Sequence, residues 1–304
     1  MSGTRCGPAD LIDLALTLVA RSRRRKLGGA DTEAFYEDFF SELEVDVLTG
    51  LGDRRKNVRL SGVREALRPL VGVGDRVLDV GCGCGDNLLS LSVLDGIALF
   101  GIEYARANVD RATRLLGSRA TIERASAFDL PYASEHFHAA TCIEVLEHLT
   151  DDAAALSEIH RVLRPEGVLV LTLPHRHWFP AYRNLIGHER HYDRDSLLKL
   201  LLRTGFRIES YIPNFPRWHR AADYAYVAAR IAGVCSAKLG GESAPHRVRL
   251  PGTDQTLLAL LNRLIEPLYE ADARLDYATR DASTSVVARR LPPFVTTSVR
   301  RETQ

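Results

Sequence analysis

The spacing of apolar positions changes along the chain. Over residues 9–70 it mixes threes and fours, as in "TEAFYEDFFSELEVDVL", which predicts helices. From residue 75 short β-branched runs take over: "DRVLDVG" (75–81), "ALFGIE" (98–103), "FHAATCIEV" (137–145) and "GVLVLTLP" (167–174), the last stopped by Pro174. Each run predicts a buried strand, with helical stretches over 86–95, 105–116 and 152–163 between them. Strands alternating with helices predict a parallel sheet covered on both faces. "DRDSLLKLLLRTGF" (193–206) predicts a helix capped near Asp193 or Asp195 and ended by Gly205, with the strand "FRIESYI" after it. Residues 213–281 break the alternation with a Pro/aromatic loop and two apolar helices, at about 221–238 and 254–272, before a closing strand "STSVVARRL" (283–291). The chain divides accordingly into N-terminal helices (1–70), an α/β core (71–212), a helical insertion (213–282) and a closing strand with its tail (283–304).

Composition narrows the function classes. The 304 residues are 45% hydrophobic and 26% charged, ordinary for a globular protein. A net charge of +1 gives no global argument for binding nucleic acid or an anionic membrane. The five cysteines (6, 82, 84, 142 and 235) are odd in number and outline no disulfide framework, which suits reduced thiols and a cytoplasmic location. The N-terminal segment does not read as a secretory leader, and no apolar run reaches the ~18 residues of a membrane span. It does read as an amphipathic helix ending in Arg23, Arg24, Arg25 and Lys26. Such a helix suits peripheral contact with lipid or simple packing with a solvated basic end.

Candidate chemistry begins in "VLDVGCGCGDN", a glycine loop between a predicted strand and a predicted helix. Gly81, Gly83 and Gly85 let the backbone pass close to a ligand, and the helix start beyond them offers N–H groups. The dinucleotide pattern G-x-G-x-x-G fails: counted from Gly81 its third glycine falls on Asp86, and counted from Gly83 on Leu88. No Walker A lysine follows. Asp79, before the loop, can accept from a ligand ammonium or from loop N–H groups, and Glu103, ending the second strand, can accept both hydroxyls of a ribose. An adenosine-bearing ligand with an amino-acid tail fits this set; an ordinary strand–helix turn is the alternative.

These motifs resemble the class I S-adenosylmethionine-dependent methyltransferases, over about 75–212 and the strand at 283–291. "LDVGCGCG" is similar to their first motif, "GIEYA" to their second, and "LRPEGVLVLTLP" to the lead into their fifth strand. The resemblance implies a doubly wound, mostly parallel, seven-stranded Rossmann-like sheet. It implies cofactor contacts at Asp79, Gly81, Cys82, Gly83, Glu103, Tyr104, Ser126, Ala127, Phe128 and Cys142. Two positions depart from the pattern: Ser126 stands where an adenine-facing acid is common, and His138 where an acid commonly follows a phenylalanine.

"CIEVLEHL" (142–149) supplies the second cluster. Glu144, Glu147 and His148 stand at i, i+3 and i+4, which on an α-helix share one face. The stretch follows the fourth strand, at the carboxyl edge where ligands bind in open α/β sheets. Its E-x-x-E-H resembles that of ubiquinone-biosynthesis O-methyltransferases and of small-RNA 3′-terminal 2′-O-methyltransferases. That resemblance implies a divalent cation, Mg²⁺ or similar, on Glu144, Glu147, His148 and His191. Without a metal, His148, His175 or His191 is a candidate general base, against the plainer reading of structural histidines. His177 and His188 complete the histidine pairs of "LPHRHW" and "GHERHYD".

The expected activity is methylation of a hydroxyl on a small molecule or on a lipid- or glycan-pathway intermediate. The apolar insertion would cap the pocket, form a homodimer face, meet a membrane or pack as core. RNA ribose methylation and a non-catalytic binding role are the alternatives. Aromatic and basic residues mix in "PRWHRAADY", but no RNA-binding module is recognisable.

Overall fold

A computed structural model describes residues 59–174, 188–214 and 283–291. The readings for the N-terminal helices before residue 59, for His175 and His177, and for the insertion beyond residue 214 lie outside the described residues.

Seven strands form one sheet: β1 (Arg76–Val80), β2 (Ala98–Glu103), β3 (Ala120–Arg124), β4 (Phe137–Ile143), β5 (Leu163–Pro174), β6 (Phe206–Asn214) and β7 (Ser283–Arg290). Their order is β3-β2-β1-β4-β5-β7-β6. Pairing is parallel from β3 through β5, and β7 runs antiparallel to both β5 and β6. The expected mostly parallel, doubly wound sheet is therefore the observed one.

Period-two alternation explains how both faces fill. Leu78 and Val80 of β1, Ala140 and Cys142 of β4, and Leu169, Leu171 and Leu173 of β5 face one core, with Leu156, Ile159, Leu197 and Leu201. Val77, Ala139, Val168 and Val170 face the other, with Val63, Leu67, Leu88, Leu91, Ala112 and Leu116. The first layer is built by helices α4 (Asp152–Val162) and α5 (Arg194–Arg203). The second is built by a helix through 59–67, here α1, with α2 (Asp86–Leu91) and α3 (Arg106–Leu116). Among the described residues no helix is long and apolar enough to cross a membrane.

Caps behave as their residues dictate. Asp151 accepts the Ala154 N–H at 2.9 Å to start α4. Asp193 and Ser196 form a capping box at α5, whose C-terminal turn passes into Gly205 at φ +86°. Helix α2 is shorter than expected, closing at Ser92. The strand β3 was not singled out by alternation, because an edge strand needs no continuous apolar run: Thr121 and Arg124 are exposed on it.

One expectation fails outright. Residues 142–149 do not pass from strand into α-helix. β4 ends at Ile143, Glu144 adopts φ +55°, and only Leu146–His148 coil, as a single 3₁₀ turn. Glu144, Glu147 and His148 therefore do not share one α-helical face. The Glu144 N–H still donates to the Thr172 carbonyl of β5 at 3.0 Å, and the positive φ at Glu144 takes the chain out of helical geometry.

Candidate active site at the carboxyl edge of the sheet

Parallel pairing brings the ends of β1, β2, β3, β4 and β5 to one edge. At the end of β1 the chain turns at Gly81, φ +72°, where an added Cβ would lie 2.5 Å from Cγ2 of Val145. The glycine loop thus rests directly on the turn after β4. Gly83, φ +53°, differs: among the described residues nothing lies within 4 Å of where its Cβ would be. The Gly81 and Cys82 N–H groups both donate to the Ile102 carbonyl at 2.9 Å.

Glu103 holds the loop from β2. Its Oε2 accepts from the Gly83 N–H, and its Oε1 from the Tyr104 and Ala105 N–H groups, all at 2.9 Å. Asp79 is buried, accepting from the Thr141 hydroxyl at 2.6 Å and the Asn87 amide at 3.0 Å. Burial pushes its carboxyl up to about 7; the charge of Glu103 adds to this, and the two hydrogen bonds oppose it.

Beside Glu103, the exposed rings of Tyr104 and Phe128 flank the rim. The Arg124 guanidinium lies 5.8 Å from the Tyr104 ring centroid. After β3, Ser126 organises a tight turn: its hydroxyl accepts from the Phe128 N–H at 3.2 Å, and its carbonyl from the Asp129 N–H at 3.2 Å. Ala127 is packed into the core, as is Cys142, whose thiol burial pushes well up. Cys82 is likewise buried and its thiol raised. His138 sits at the opposite end of β4, accepting the Arg76 N–H at 3.0 Å and facing Asp75 at 3.2 Å.

The turn after β4 gathers the second group of residues. Glu144 is held by the Thr172 hydroxyl at 3.2 Å and by Arg59 of α1 at 3.4 Å. Glu147 points inward, fully buried, and neither carboxylate oxygen has a hydrogen-bond partner among the described residues. Burial pushes its carboxyl well above the ordinary range, and the charge of Glu144 pushes the same way.

The segment 188–192 is strapped across this turn. The Glu189 and Arg190 N–H groups donate to the Glu147 carbonyl at 2.7 and 3.3 Å. The Tyr192 hydroxyl donates to Asp152 at 2.9 Å, and Arg190 meets the same carboxylate at 2.8 Å. This strap sets the His188 ring edge-on to His148, centroids 4.5 Å apart, with His188 Nδ1 2.8 Å from His191 Nε2.

The structure therefore brings together Glu147 and His148 of the sequence-derived set, adds His188, sets His191 against His188 and holds Glu144 on Arg59 and Thr172. Sequence reasoning missed His188 and Arg59. The spacing of His188 and His191 in "GHERHYD" was a visible signal for the first; nothing in the sequence pattern marked the second.

Comparison with known proteins agrees with this geometry. The methyltransferase-domain family model matches residues 78–171. The chain is similar to the O-methyltransferase resE of Aspergillus sclerotiorum, 30% identical over 186 residues, covering 57% of this chain and 67% of that protein. It is similar to the 27-O-demethylrifamycin SV methyltransferase of Amycolatopsis mediterranei, 33% identical over 103 residues, 32% of this chain and 38% of that one. Among solved structures it resembles the [4+2]-cyclase SpnF, with a TM-score of 0.54 and 24% identity, covering 77% of this chain and 81% of that one, a likeness of fold alone. With the parallel edge, the glycine loop tied to Glu103 and these relatives in place, the chain belongs to the class I S-adenosylmethionine-dependent methyltransferases.

Proposed function

We propose that this enzyme methylates a hydroxyl of a small, fairly apolar acceptor, held against the turn after β4 while S-adenosylmethionine lies along the loop at 81–85. One observation carries the reading: Gly81 packs on Val145, so the loop on the cofactor side and the Glu144–His148 turn are in contact. Relatives named as O-methyltransferases support oxygen as the accepting atom.

The cofactor supplies a methyl group already activated on sulfur, which leaves orientation and proton handling to the chain. Asp79 would hold the ammonium of the amino-acid tail and Glu103 the ribose hydroxyls, and Tyr104, Phe128 and Ser126 would border the adenine. Without a metal at this turn, the imidazole of His148 or His191 would take the proton of the acceptor hydroxyl as its oxygen bonds to the methyl carbon. The electron pair of the broken carbon–sulfur bond would stay on sulfur, giving S-adenosylhomocysteine. His175 remains a third candidate base, outside the described residues.

A divalent cation also suits this turn, where it would lower the acceptor hydroxyl pKa. The fit rests on Glu147, a buried carboxylate with two unpartnered oxygens.

The reading is tested by calorimetry with S-adenosylmethionine and S-adenosylhomocysteine, then by transfer of labelled methyl to a panel of phenols and alcohols. Binding that Asp79→Ala and Gly83→Val abolish, with label recovered on oxygen, is expected. A parent protein that binds neither nucleoside would overturn it.

A further inference from the structure

We propose that Glu147, His148 and His188 are the protein ligands of a divalent transition-metal ion, with His191 as the outer partner that orients His188 and Glu144 outside the ligand set. This deepens the cation reading above and rests on it. It departs from the ligands that the E-x-x-E-H pattern implies, because the chain here is a 3₁₀ turn and the strap at 188–192 supplies a different imidazole.

Three observations converge. One donor atom each from Glu147, His148 and His188 lies within 4.8 Å of the others. That is the spacing of groups that share an ion. Neither Glu147 oxygen is hydrogen-bonded to either histidine. Second, a fully buried carboxylate with both oxygens unpartnered costs a few kcal/mol unless something compensates it, and a cation coordinated by it would. Third, His188 Nδ1 lies 2.8 Å from His191 Nε2, and in the tautomer in which His188 Nδ1–H donates to His191 the other nitrogen of His188 is left as the ligand.

Glu144 is excluded by its own contacts. Its carboxylate is taken by Arg59 and by the Thr172 hydroxyl, and its φ of +55° places it before the turn that carries Glu147. Two imidazoles and one carboxylate also favour a borderline ion such as Zn²⁺, Co²⁺ or Fe²⁺ over Mg²⁺, which prefers oxygen donors. Positions left open on such an ion suit acceptor oxygens.

The test uses the full-length chain stripped of metal and titrated with Co²⁺, followed by its visible d–d absorption, with calorimetry for Zn²⁺ and Mg²⁺. Saturable binding of one ion is expected, Zn²⁺ at least about 100-fold tighter than Mg²⁺. Glu147→Gln and His188→Asn should abolish the Co²⁺ spectrum. His191→Phe should weaken binding by about 10- to 100-fold, and Glu144→Gln should leave it within a few-fold. S-adenosylhomocysteine binding by each variant checks its fold. A parent that binds S-adenosylhomocysteine but gives no Co²⁺ spectrum overturns the metal site and spares the methyltransferase reading. A spectrum lost in Glu144→Gln and kept in His188→Asn overturns this ligand set.

Discussion

Asp79 is the residue whose chemistry is most sensitive to its surroundings. It sits buried between Thr141 and Asn87, and burial holds its carboxyl near 7. A carboxyl raised above its ordinary 3.8 favours the folded state when protonated. Its stabilising contribution is full at low pH and fades as pH rises through about 7. A ligand ammonium wants the ionised form. Affinity for S-adenosylmethionine should therefore rise between pH 5 and 8 as Asp79 ionises, and level off above that. Calorimetry in buffers of different ionisation enthalpy should show proton release on binding below pH 7; affinity flat across this range would mean that Asp79 does not meet the ammonium. Glu103 acts differently, through three backbone N–H groups that shape the loop. Glu103→Gln keeps the volume but removes the charge and replaces one acceptor oxygen with a donor. It should weaken the nucleoside at least about tenfold, or about 1.4 kcal/mol, measured by the same titration.

Among elements, the contact of the glycine loop with the turn after β4 couples the two halves of the site. An alanine at position 81 has to hold φ +72° and place its Cβ 2.5 Å from Val145 Cγ2. The left-handed conformation costs about 1 kcal/mol or more and the contact adds to it. Gly81→Ala should be destabilising by about 2–3 kcal/mol in urea unfolding. Adding Val145→Ala should return part of that loss, a coupling of order 0.5–3 kcal/mol between groups in contact; strict additivity would show that the clash is relieved elsewhere. The same turn shows the limit of local patterns. A spacing of i, i+3, i+4 suits an α-helix, but Glu144, bonded to Thr172 28 residues on, adopts φ +55°, and only a 3₁₀ turn follows. The cap at Asp193 was legible because its partner lies three residues on.

At the scale of the whole molecule, ligand binding should report on the sheet that holds the edge together. A ligand that binds only the folded chain stabilises it by mass action, about 2.7 kcal/mol at one hundred times its Kd. S-adenosylhomocysteine at that concentration should raise the unfolding midpoint in urea accordingly, and the shift should vanish in Asp79→Ala. An unchanged midpoint in the parent would place the nucleoside outside the folded core. Order in the sheet follows the same division between local and distant causes. Alternating strands and helices and the glycine loop were readable in the chain, since the residues that set each of them are neighbours in sequence. The reversal of β7 between β5 and β6, the burial of Glu147 and the approach of His188 to His148 belong to the tertiary structure. Each depends on which distant backbone groups claim one another's hydrogen bonds, and on what packing shuts away from water. A linear pattern of residue types holds no record of either.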